Sequence, residues 1–141
     1  RTDPPTAEET LEARKLIDEN FAQAAATVPF AKAQTFVGCA GTFTTLSALA
    51  QGLDSYDPER IHMSEIPFDR LREVTADLRA KTAVQRRENP VVHPGRADVI
   101  ASGSTVVEQL MDAFEREAGV TSFIISEKDI LDGIVAGLAQ D

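Results

Sequence analysis

The chain has a single cysteine, two histidines and no long apolar run. Each scarcity closes off a class of protein. Cys39 has no partner for an internal disulfide, which suits a reducing, cytoplasmic setting. Cys39, His62 and His93 lack the spacing of a zinc site. His62 in its IHM context reads as a core or surface histidine, and Cys39, with no histidine near it in sequence, as a small buried residue. No stretch approaches the roughly 20 apolar residues that a membrane helix needs, so no membrane span is expected. Residues 1–9 are polar and hold two prolines, without the apolar centre of a secretory signal. Net positive charge is also missing. At −9 the molecule does not have the balance of a nucleic-acid binder.

What is present fits a soluble α/β unit. The 141 residues, 43% apolar and 26% charged, suffice for one domain with a core. Charge is unevenly placed. Residues 101–141 hold eight acids against Arg116 and Lys128, a net −6, whereas residues 79–96 hold Arg79, Lys81, Arg86, Arg87 and Arg96 against Glu88, a net +4. Such a basic island is either a solvated helix face or a local site for an anion.

Thr6 and Glu9 have capping-box spacing ahead of Leu11, Ile17, Phe21, Ala24 and Val28, so a helix is predicted over about 7–27. The run AQTFVG at 33–38 reads as a buried strand. A helix follows, capped by Thr42 and stopped by Gly52. Residues 53–66 read as irregular, and 67–88 as a polar, basic helix that restarts at Thr82 with Gln85. The longest helix is predicted over 97–118, and Gly103 within it implies a close neighbour. VTSFIIS at 120–126 is the second strand, parallel to the first, and a last helix reaches about Ala139 after Ser126 or Asp129 as cap. Gly133 and Gly137 in that helix again suggest close packing. Two parallel strands are few for this length, so further strands are expected upstream of Arg1.

Two local patterns can carry chemistry. The first is strand, then VGCAGT at 37–42, then helix. Glycines admit a ligand to the backbone, and a helix start offers free N–H groups with a partial positive charge. Gly38 and Gly41 would shape the loop, and Thr42 and Thr44 would add hydroxyls. The same glycines also serve a turn with no ligand. It is neither a Walker loop nor a dinucleotide fingerprint. The second pattern is HPGRAD at 93–98, where Arg96 suits phosphate or stacking on a base. The other reading of that pattern is an Arg96–Asp98 pair that caps a helix. No GxSxG elbow and no acid–base pair is visible in the chain.

Three segments in order, VGCAGTFTTLSALAQGLDSYDPERIH, NPVVHPGRADVIASGSTVVEQL and TSFIISEKDILDGIVAGL, resemble the C-terminal portion of Ppx/GppA phosphatases, nearest to short actinobacterial exopolyphosphatases. The resemblance covers essentially the whole chain. It implies a partial second domain of ribonuclease-H-like fold in the actin-like and sugar-kinase superfamily, helix-rich with few parallel strands. It also implies a hydrolase that frees orthophosphate from the end of inorganic polyphosphate, some members also acting on guanosine pentaphosphate. The general base, the DxGGGS-type phosphate loop and the Mg²⁺ ligands of such enzymes would lie upstream, so no catalytic or metal residue is expected here and the 141 residues alone should be inactive. The family's GTGGT-like turn falls on Gly38-Cys39-Ala40-Gly41-Thr42, with Cys39 and Ala40 departing from the commoner residues. The implied substrate-binding set is Gly38, Gly41, Thr42, Arg86, Arg87, His93 and Arg96, with the basic island facing polyphosphate. Partners implied are the protein's own N-terminal lobe and a second copy as a homodimer. A non-catalytic module binding polyphosphate or an alarmone nucleotide is the competing reading.

Overall fold

The computed structural model describes residues 2–139. Helix α1 (Ala7–Ala25) begins at the Thr6 capping box, in which Thr6 and Glu9 bond each other's backbone N–H. A 3₁₀ turn at Phe30–Lys32 leads into β1 (Val37–Cys39), shorter than the run 33–38 predicts. Helix α2 (Ala40–Ala50) follows at once, and Gly52 takes the left-handed conformation just beyond it, as a stop requires.

Residues 53–66 are more ordered than their sequence implies. Asp57 caps a single turn, α3 (Pro58–Ile61), and β2 (Ser64–Pro67) runs directly into α4 (Phe68–Ala80). Thr82 and Gln85 form the expected capping box for α5 (Ala83–Arg87). A 3₁₀ turn at Pro94–Arg96 precedes α6 (Ile100–Ala118), which closes on a left-handed Gly119. Strand β3 (Ser122–Ser126) and α7 (Ile130–Leu138), capped by Asp129, are the last elements among the described residues.

The sheet has the order β1-β3-β2. As predicted, β1 and β3 are parallel, with Val37 beside Ile124 and Cys39 beside Ser126. The third strand makes the sheet mixed: β2 runs antiparallel to β3, Ser64 beside Ile125 and Pro67 beside Ser122. Alternation on β3 sends Phe123 and Ile125 into the core and leaves Ser122, Ile124 and Ser126 partly open. Leu46, Phe68, Leu71, Ile100, Met111, Phe123 and Ile125 form the centre, between the helices and one face of the sheet. Burying a side chain such as Phe123 contributes about 2–3 kcal/mol. Phe21, Phe30 and Phe36 gather on Phe114, the last stacked at 3.7 Å, and fasten α1 to α6.

A charged network lies between α1, α4 and α6. Glu108 is buried and accepts from Arg14 at 2.9 Å and Thr75 at 2.7 Å, and pairs with Arg79. Burial opposes its ionisation, but Arg79, Thr75 and Arg14 outweigh burial and hold its carboxyl below the ordinary range. Elsewhere Arg72 spans α4 to α6, donating to Asp112 at 3.0 Å and Glu115 at 2.7 Å.

Candidate functional site

The parallel strands β1 and β3 end side by side, and the chain leaves each of them at the same edge of the sheet. That edge is where α/β folds commonly hold ligands. From β1 the backbone turns through Ala40, whose φ of 66° is a left-handed value unusual for a side-chain-bearing residue. The turn lets α2 begin immediately, with Cys39 rather than Thr42 at the cap position. Cys39 makes no capping hydrogen bond with its side chain. Cys39 is also exposed, not buried as its size and type suggest.

Arg96 lies directly over this helix start. Its guanidinium occupies the space that a Cβ on Gly41 would need. It makes only long contacts there, from Nη1 to the Gly41 carbonyl at 3.4 Å and the Thr45 hydroxyl at 3.5 Å. A guanidinium has five N–H donors, so most of this capacity is free to meet a ligand. Gly41 therefore serves the arginine, while Gly38 makes room for the Phe43 ring. Gly103 on α6 meets Thr42 in the same way: a Cβ there would sit 2.7 Å from the Thr42 hydroxyl. That contact is the close neighbour the glycine implied, and it sets α6 against the first turn of α2.

The remaining island residues are arranged differently from their sequence. Arg86 is not on a solvated helix face. It is 2% exposed and donates to the carbonyls of Leu78, Lys81 and Ala97 at 2.8, 2.6 and 2.7 Å, and to Asp3 at 3.1 Å. The partners come from three separate stretches of chain, around Asp3, Leu78 to Lys81 and Ala97, which local charge counting cannot see. Arg79 is engaged by Glu108, Lys81 by Asp77, and Arg87 by Asp98. Asp98 thus pairs with Arg87, not with Arg96. Among the described residues, Arg96 is the island member with no carboxylate partner. His93 is exposed and accepts the Gly95 N–H at 3.1 Å, shaping the turn that carries Arg96. Gly133 and Gly137, expected to pack closely, face open space.

Two residues that the sequence did not single out stand at this edge. Tyr56, the chain's single tyrosine, donates its hydroxyl to Glu127, the first residue after β3. Burial, then the Glu127 bond, push the phenol's pKa up, and Thr44 and Arg96 pull against them. The Glu127 N–H donates to His62 at 3.3 Å. The available signal was a lone tyrosine before an Asp-Pro turn, which is too common to single out.

Open grooves of about 510 Å³ between α1 and α4 and about 520 Å³ between α1 and α6 are lined by no residue of the β1–α2 turn. Among the described residues no three His, Cys, Asp or Glu side chains gather as metal ligands, and no helix is long and apolar enough to cross a membrane.

The family model described as Ppx/GppA phosphatase family matches residues 1–137. The chain is 48% identical over 138 residues to Exopolyphosphatase 2 of Mycobacterium tuberculosis, covering 98% of this chain and 43% of that protein. A solved exopolyphosphatase-like protein superposes with a TM-score of 0.95 at 34% identity, over 99% of this chain and 45% of its own. The Aquifex aeolicus Ppx/GppA structure gives 0.85 at 23% identity, a likeness of fold alone. The chain spans less than half the length of these relatives. Their fold is of the actin-like ATPase type, and the helix-rich α/β arrangement here shares it.

Proposed function

The chain belongs to the Ppx/GppA phosphatase family, and we propose that it forms the C-terminal lobe of a cytoplasmic exopolyphosphatase that releases orthophosphate from the end of inorganic polyphosphate. The observation that carries this reading is the half-buried Arg96 laid on Gly41 beside the uncapped start of α2. A phosphate there would accept from the N–H groups of Gly41 and Thr42 and from the Arg96 fork. Water attack and the general base belong to the longer protein. So do the ligands of the Mg²⁺ that the family implies. Guanosine pentaphosphate would engage the same contacts through its phosphates. Arg87 and His93 lie outside this core of the site, and Arg86 supports it by holding α5 to the Ala97 backbone.

The test is Arg96→Ala in the longer protein. Losing a charged contact to phosphate of about 1.5–3 kcal/mol raises KM for polyphosphate about tenfold or more. Arg87→Ala, at an exposed pair, should have a small effect that salt abolishes. An unchanged KM in a folded Arg96→Ala protein would remove the reading.

A further inference from the structure

The Tyr56–Glu127 pair has no part in the phosphate contacts described above, yet it stands beside them. Cys39 and Ser126 are register partners in adjacent parallel strands. The next residues, Ala40 and Glu127, therefore leave the sheet at the same end of adjacent strands. The carboxylate is tied down at this edge. Its side chain accepts the Tyr56 hydroxyl and its backbone N–H is held by His62. Thr44 and Arg96 in turn pull the Tyr56 phenol's pKa down against its burial and the Glu127 bond. Thr44 and Arg96 both reach the Gly41 carbonyl, at 3.4 Å each. Hydrogen bonds thus join Glu127 to Tyr56 and join Thr44 and Arg96 to the Gly41 carbonyl, and Thr44 and Arg96 both act on the Tyr56 phenol.

A fixed carboxylate next to an anion site has the wrong sign to assist binding. Its effect is selective, because repulsion grows with the ligand's charge. The internal phosphates of a polyphosphate chain carry one charge each, whereas free orthophosphate near neutral pH carries up to two. Resting on the phosphate site proposed above, we propose that Glu127 is a specificity-determining residue that makes this site favour singly charged chain phosphates over doubly charged orthophosphate. Tyr56 is the positioning residue: its hydroxyl keeps the carboxylate at the site's edge.

The experiment titrates the chain with orthophosphate, at a pH where it is a dianion, and with dimethyl phosphate, a permanent monoanion, following amide shifts. Glu127→Gln should tighten orthophosphate about three- to tenfold and dimethyl phosphate less, with the gain shrinking as salt rises. Glu127→Ala should do the same, and serves if the Gln variant does not fold. Tyr56→Phe keeps the charge and should not reproduce the full gain. Glu65→Gln, on β2 with its carboxylate on Ser122 at the opposite end of β3, should bind as the unsubstituted chain does. If the unsubstituted chain binds orthophosphate and Glu127→Gln binds it no better, the role of Glu127 is wrong while the site stands. An equal gain for both ligands, or from Tyr56→Phe, also overturns it, because loop release rather than charge would then be acting. If neither the chain nor any variant binds either phosphate, the site itself is refuted and this inference falls with it.

Discussion

Arg86 and Arg96 come from one basic stretch and end in opposite situations. Arg86 spends its donors on three backbone carbonyls and Asp3, all out of water. Arg86→Ala would strand those groups, so we expect a loss of about 3–5 kcal/mol in urea unfolding. Arg96→Ala should leave stability nearly unchanged, since its contacts are long. The sequence showed five cations and one acid over 79–96, but not that acids from elsewhere, at Asp3 and Glu108, answer two of them. Glu108 gives a second test. Its folded pKa is depressed, so its contribution is present above the unfolded value, about 4.3, and is lost as pH falls through the lower folded value. Glu108→Gln should lower stability at neutral pH by about 3 kcal/mol. The gap to the unsubstituted chain should narrow on acidification below about pH 4. A gap that widens in acid would contradict the sign.

At the scale of elements, the meeting of α2 and α6 positions the site. Gly103 costs about 1 kcal/mol in helix propensity, and the packing of Thr42 is what it is exchanged for. Gly103→Ala should therefore destabilise by about 1–2 kcal/mol in spite of better propensity, and Thr42→Ala should relieve the loss. If Gly103→Ala stabilises the chain, the helices are not in that contact. This closeness was legible, because a glycine in the middle of an otherwise regular helix is a cost that a close neighbour offsets. The capping boxes at Thr6 and Thr82 were legible too, because local chemistry decides them, and so was the parallel pairing of β1 and β3, because strands separated by helices favour it. Strand β2 was not. Its four residues, SEIP, end in proline and show one buried side chain, Ile66, so alternation is too short to register. It exists because β3 offers an edge, and pairing of that kind is absent from local sequence. The geometry of the candidate site was legible in part. VGCAGT and HPGRAD each marked a half, but only the fold brings Arg96 onto Gly41, and only the fold adds Tyr56 and Glu127.

Across the described residues, apolar exposure is densest on α7. No residue of α7 is buried among those described, and Ile130, Leu131, Ile134, Val135 and Leu138 are each more than half exposed. Val37, on the outer edge strand, is 58% exposed. Patches of this kind associate in water. The purified chain should sediment as a concentration-dependent mixture, and Leu131→Asp with Val135→Asp should shift it to monomer. A monodisperse monomer at high concentration would count against this.

The measurement closest to the central claim is a phosphate titration of the isotopically labelled chain at low salt, read at every backbone amide and at the arginine Nε–H groups. The account predicts saturable shifts at Gly41, Thr42 and the Arg96 Nε–H, absent in Arg96→Ala and in Gly41→Ala, where the added Cβ displaces the guanidinium. Shifts spread over surface lysines and arginines, with Gly41 and Thr42 silent, would contradict it.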